Sequence, residues 1–249
     1  MTGTILNTIT VLIGGTLGLF FGARLPERLT QTIVAGLGLF TASIGVSMFL
    51  ESNNPIVVLG GLLLGGLLGE WWRIEDGLEA LGGWLQRRFT RPSTDPAGSP
   101  AVDGPSPRER FIRGFLTASL VFCVGPMTIL GSIQDGLTGD YELLAIKSTM
   151  DGFAAVAFAA TMGVGVLFSA IVILGFQGGL SLLAGQLTNL VPPQTLEQVL
   201  IPEMSAVGGL LLIGIAISSL LELKKIRVAN FLPALVIAPL IAWLVTIYL

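Results

Sequence analysis

The sequence predicts an all-α protein that crosses a lipid bilayer about eight times. Three observations carry that prediction: long apolar runs, few charges, and charges confined to short stretches between the runs. The chain has 249 residues, of which 52% are hydrophobic and 12% charged, with a mean hydropathy of +0.83. Soluble domains carry about 25% charged residues. A run of about 20 apolar residues covers a hydrocarbon core of about 30 Å when helical. In lipid, backbone polar groups must be paired internally, so only helices or closed barrels can span it. Barrel strands alternate polar and apolar residues, and these runs do not.

The expected spans are 4–23, 32–50, 56–72, 112–133, 147–165, 167–187, 204–222 and 230–248. The first lacks a positive leader and is followed by Arg24, Glu27 and Arg28, so it reads as a span and not as a cleaved signal. Orientation follows from Lys and Arg, which favour the cytoplasmic side. Arg24 and Arg28 follow the first span. Arg73, Arg87, Arg88, Arg91, Arg108, Arg110 and Arg113 lie between the third and fourth, and Lys224, Lys225 and Arg227 between the seventh and eighth. These clusters fall on one side only with eight crossings and both termini outside. The segment 151–187 is the weak point, because it has no charged turn. Two crossings need a turn near Thr161–Gly165; the alternative is one long tilted helix with a re-entrant piece.

The chain divides into helices one to three (1–73), an amphipathic helix with a flexible linker (74–110), and helices four to eight (111–249). Ile74, Leu78, Leu81, Leu85 and Phe89 recur at helical spacing, opposite charged positions. Such a helix suits the membrane interface, or packs on the inner ends of the bundle. The stretch 91–110 is rich in Pro, Ser, Gly and Asp and reads as a linker.

The 33 glycines fit close helix packing. Gly14, Gly18 and Gly22 form one small-residue seam, Gly61, Gly65 and Gly69 a second, and Ala155, Ala159 and Gly163 a third. Packing within the bundle is the favoured use of these seams, and a homodimer interface the other. An inverted repeat is also legible: Gly38–Glu51 can be laid on Gly209–Glu222, which sets spans one to three against six to eight. Inverted repeats are common among secondary transporters.

Polar chemistry concentrates in residues 122–153. Pro126 lacks an N–H and displaces the carbonyl of Phe122 from helical bonding. With Gly125 it breaks or kinks the fourth span. A broken helix leaves backbone groups that bind ions or anionic groups when they line a cavity. Thr117, Ser119 and Cys123 flank the break, and Ser132, Gln134 and Asp135 follow it. Lys147 and Asp151 are four apart and can pair on one helix face. That pair reads either as an interfacial anchor or as a gate with Asp135 as third member. These ten residues are the candidate substrate or ion site. Asn7, Gln177, Glu203 and Asn230 are further polar positions in or at the head of spans.

With no histidine and the single cysteine Cys123, an internal disulfide and histidine-based catalysis are excluded. No enzyme activity, cofactor, metal or nucleic-acid partner is expected.

The sequence resembles the bacterial inner-membrane family called domain of unknown function 554. Three blocks carry the resemblance: GTILNTITVLIGGTLGLFFGARLPERL, GGLLLGGLLGEWWRIEDGLEALG, and the polar middle from Phe122 through Ile171. It covers nearly the whole chain except the linker. It implies a multi-pass protein of the bacterial plasma membrane, in a family whose members are often labelled as transporters. It supplies no site residues. Three functions follow in order of support: a small transporter or channel for an ion or metabolite, a non-transporting scaffold or subunit, and a membrane enzyme.

Overall fold

The computed structural model describes residues 1–22, 26–78, 80, 84, 107–123, 125–190, 192–221 and 223–248. Most of the expected amphipathic helix and linker, from 79 to 106, lies outside the described residues, apart from 80 and 84. No strand occurs among the described residues. The elements are α1 (Thr2–Gly22), α2 (Glu27–Phe49), α3 (Pro55–Trp72), α4 (Pro107–Cys123), α5 (Pro126–Leu137), α6 (Glu142–Met162), α7 (Ser169–Leu190), α8 (Ile201–Ile215) and α9 (Ala234–Tyr248). A 3-10 turn, Val164–Phe168, joins α6 to α7. π turns, Leu196–Leu200 and Ala216–Leu220, flank α8, and a 3-10 turn, Val228–Phe231, leads into α9.

Among the described residues, seven helices are long and apolar enough to cross a membrane. An eighth crossing comes from α4 and α5 taken together, which are bent by 62° to one another. Contacts between the helices fix the order of crossing. Gly14, Gly18 and Gly22 of α1 face Gly152, Val156 and Ala160 of α6, so these two helices run parallel. Helices in contact are parallel only when an odd number of crossings lies between them. α6 is therefore the fifth crossing, and α4 with α5 forms the fourth. Gly38 of α2 meets Leu221, and Gly45 meets Gly209, so α2 and the helix beginning at α8 are antiparallel. That places α8 seventh and makes α6 and α7 separate crossings. Gly61, Gly65 and Gly69 of α3 face Ala238, Ala234 and Asn230, so α3 and α9 are antiparallel too. The eight crossings read from charge alone are thus the ones the packing requires.

The uncharged turn inside 151–187 is made by Gly163. It stops α6 with φ 84 and ψ −159, a region that side chains with a Cβ rarely enter. The chain then turns back through Val164–Phe168, where Gly165 lies against the backbone of Phe111 at the start of α4. A backbone device replaces the charged loop that marks the other turns.

The seams of α1 and α3 lie inside the chain, whereas Gly163 of the third expected seam ends α6 and has no atom within 4 Å of an added Cβ. A Cβ added to Gly14, Gly18 or Gly22 would run into the carbonyl oxygens of Gly152, Val156 or Ala160. Additions at Gly61, Gly65 and Gly69 would strike Ala238, Ala234 and Asn230. In lipid there is no hydrophobic drive between apolar helices, so this close backbone approach supplies the dispersion contact that holds them. The opposite faces carry Ile5, Ile9, Ile13, Leu63, Leu67 and similar exposed apolar side chains, as lipid contact requires.

Basic residues mark one end of the bundle. Arg227 binds Glu70 at 2.7 Å, and Arg110 donates to the carbonyl of Thr161 at 3.1 Å. Of the 13 Lys and Arg, Lys147 alone falls in sequence outside the three basic stretches. At the same end α3 stops at Arg73, which takes the left-handed conformation (φ 53), and the chain resumes as helix over 74–78. The Glu75 carboxylate and backbone N–H bond Ala229 and Asn230, which docks the start of that segment on the turn before α9. Trp71 and Trp72 are exposed there, at the level expected for an aromatic belt.

With the basic end cytoplasmic, the topology makes a direct prediction. In intact cells a membrane-impermeant maleimide labels Asp140→Cys, whereas Lys225→Cys reacts only after permeabilisation. The opposite pattern would reverse the orientation.

Candidate functional site

The polar centre is built where α6 wedges between α1 and the broken α4–α5 segment. Leu144 of α6 is fully buried, in notches left by Gly3 of α1 and Gly131 of α5. Gly152 of α6 lets Thr10 and Gly14 of α1 approach. The small residues on either side bring three helices together around Lys147 and Asp151. These two sit on the second and third turns of α6, about 8 and 14 Å along it by helix rise.

Pro126 opens α5 as its first residue. The carbonyl of Phe122 then lacks its helical donor and accepts from other groups. Lys147 Nζ donates to it at 2.7 Å and Thr128 Oγ1 at 3.2 Å. Lys147 also pairs with Asp151, and Asn7 Nδ2 donates to Asp151 Oδ2 at 3.0 Å. Lys147 is 7% exposed and Asp151 6%. An isolated charge at that depth is costly in lipid; pairing and the flanking hydrogen bonds offset that cost. Cys123 is buried at the end of α4, next to the Phe122 carbonyl that receives Lys147.

The other candidates fall into separate groups. Thr117, Ser119 and Ser132 are buried, and their hydroxyls have no hydrogen-bond partner among the described residues. Gly125 is extended, with φ 173, and precedes α5. Gln134 is exposed. Asp135, its neighbour in sequence, is 3% exposed and points elsewhere. Its carboxylate accepts from the Met1 amino group at 2.8 Å, Thr2 N at 3.1 Å and Gly3 N at 3.0 Å. It caps α1, where the free N–H groups and the positive end of the helix dipole favour an anion. Asp135 is therefore one helical turn of α1 away from the Asn7–Asp151 contact and does not join the Lys147 pair.

Glu203 does similar work for the turn between α2 and α3. It accepts from Ser52 Oγ at 2.7 Å, Asn53 N at 3.0 Å and Asn54 N at 2.9 Å. Asn230 anchors the basic end, where it donates to Glu70 and accepts from Glu75 N. Gln177 is fully buried, and neither polar atom of its amide has a partner among the described residues. Asn7 is the residue whose place at the centre was least visible in sequence. Among the described residues, no group of three or more His, Cys, Asp or Glu could hold a metal ion.

A helical bundle that crosses the membrane, with a buried ion pair set against a proline-broken helix, defines a polytopic membrane protein with a polar core. The chain matches the family described as "Protein of unknown function (DUF554)" over residues 2–243 and belongs to it. It is 33% identical to "Uncharacterized protein YqgA" of Escherichia coli (strain K12), covering 95% of this chain and 94% of that one. It is 28% identical to "Uncharacterized membrane protein YdfK" of Bacillus subtilis (strain 168), covering 98% and 97%. No solved structure matches it.

Proposed function

We propose that this protein is a small secondary transporter or channel-like protein for an ion or small metabolite, resident in a bacterial plasma membrane. The observation that carries the reading is the buried Lys147–Asp151 pair, with Lys147 on the carbonyl that Pro126 frees. Ionisable residues inside membrane helices are rare and mark substrate or ion pathways. Discontinuous helices recur at transporter sites because their ends offer unpaired backbone groups.

The arrangement suggests a way to couple binding to movement. Lys147, on α6, holds the end of α4 through the Phe122 carbonyl. A ligand that competes for Lys147 or Asp151 releases Phe122, and α5 can then swing at the break. The reading also draws on α2 and α8. They cross with Gly45 against the carbonyl of Gly209 and Gly209 against the carbonyl of Gly45, a reciprocal contact of the kind a twofold axis produces. That crossing relates the two helices seven residues out of step with the sequence match of Gly38 to Gly209, so it supports an inverted pair in a different register.

Uptake in proteoliposomes, against a panel of inorganic ions and small metabolites, tests the proposal. Pro126→Ala restores a backbone donor and is expected to lower uptake by roughly tenfold or more, equivalent to about 1.4 kcal/mol, while the protein stays folded. Pro239→Ala, in α9, leaves uptake unchanged. No flux of any solute by folded protein would instead favour a scaffold.

A further inference from the structure

A second polar locus lies beside the ion pair, where α1, α5 and α7 meet. Three contacts define it. Gly178 of α7 sits against Thr4 of α1, with the nearest Thr4 methyl 3.9 Å from an added Cβ. Ser181 of α7 donates to the carbonyl of Ser132 on α5 at 2.9 Å. Asp135 of α5 caps Gly3 of α1. Each contact involves a residue next to, or one turn from, a buried polar side chain that lacks a partner. Gln177 precedes Gly178 and lies one turn from Ser181. Thr4 follows Gly3, and Ser132 lies one turn before Asp135. Thr4, Asn7, Ser132 and Gln177 are all fully buried. Among the described residues, Thr4 Oγ1, Asn7 Oδ1, Ser132 Oγ and both amide atoms of Gln177 have no hydrogen-bond partner.

The donor set is informative. Asn7 gives its NH2 to Asp151, so its Oδ1 is committed as an acceptor facing away from that bond. The hydroxyls of Thr4 and Ser132 and the Gln177 carbonyl add three more neutral oxygens. Hard cations take oxygen ligands, and divalent ones usually recruit carboxylates as well. Here the nearby carboxylates are already engaged: Asp151 by Lys147, and Asp135 by the N-terminus of α1, whose positive end it also offsets. What remains where these three helices meet is a set of four buried neutral side chains with unpartnered oxygens.

We propose that Thr4, Asn7, Ser132 and Gln177 form a binding site for a hard monovalent cation of the sodium class. Through Asn7 the cation would touch the same amide that holds Asp151, which links its occupancy to the Lys147–Asp151 pair. Only that coupling rests on the transport reading; binding itself does not.

The test uses full-length protein purified in detergent and radiolabelled sodium, titrated at constant ionic strength with choline as the replacing ion. Saturable sodium binding is expected, displaced by lithium and not by choline or magnesium. Thr4→Val and Gln177→Leu should each weaken it by roughly tenfold or more. Gln177→Glu should tighten it, because a carboxylate then faces the cation. Thr149→Val, an exposed position on α6, should leave it unchanged. If Gln177→Leu fails to fold, the isosteric Thr4→Val and the Gln177→Glu variant still decide. Absence of saturable binding, indifference to Thr4→Val, or weaker binding by Gln177→Glu would overturn the site. Solute uptake without sodium binding ends this inference and leaves the transporter reading; sodium binding without uptake of any solute does the reverse.

Discussion

Lys147→Met is expected to destabilise the protein by about 3–5 kcal/mol, the usual cost of removing one partner from a buried ion pair. The substitution leaves Asp151 at 6% exposure with Asn7 as its remaining side-chain donor. It also deprives the Phe122 carbonyl of its charged donor, leaving the Thr128 hydroxyl. The double variant Lys147→Met, Asp151→Leu should recover most of that loss, since well-packed apolar residues often replace a buried pair without penalty. Unfolding of the purified protein by denaturant checks both, and the difference between the single and double variants measures the coupling. Transport should follow the opposite rule: the double variant folds and stays inactive. A loss below about 1 kcal/mol for Lys147→Met would mean that the pair is hydrated like an exposed one, and the buried-site reading would fail with it.

Much of the architecture could be read from the sequence because its signals are local or additive. The number of crossings follows from where Lys and Arg sit, and the packing of α1 on α6 and of α2 on α8 requires the same number. Pro126 acts on the residue four before it, so the freed carbonyl of Phe122 was predictable. Its partner Lys147 was not, because the two meet across 25 residues of chain. The same limit hid the role of Asn7, which stands among Thr4, Thr8 and Thr10 with nothing to single it out until α6 is placed beside it. In membrane helices the lipid face is as apolar as the packed face, so hydrophobic periodicity does not separate the buried Asp135 from the exposed Gln134. Only the three-dimensional contact with the start of α1 does so. The uncharged turn was legible as a position but not as a mechanism, since nothing in the composition of 161–165 distinguishes a Gly163 with positive φ from a helical one.

Gly18→Leu is expected to prevent α1 from seating on α6, and even Gly18→Ala should cost about 1–3 kcal/mol, the range for overpacking a tight interface. The reason is geometric. An added Cβ would press on the carbonyl oxygen of Val156, a backbone atom that cannot rotate away, and would sit 3.0 Å from the Ala159 methyl. Gly36→Ala in α2 is the matched control: no atom lies within 4 Å of its added Cβ, so no loss is expected and a gain of up to about 1 kcal/mol from helix propensity. Denaturant unfolding of both variants reads the difference, and equal stabilities would mean that α1 and α6 do not pack through this seam. The consequence extends beyond stability. α1 also carries Asn7, whose amide reaches Asp151 at 3.0 Å, and Thr4 and Gly3 at the meeting point with α5 and α7. A shift of α1 by the width of one methyl group is enough to break a hydrogen bond of that length. The seam residues therefore hold the polar core in register without touching it. In the milder variant Gly18→Ala, uptake and sodium binding should fall together, out of proportion to the change in stability.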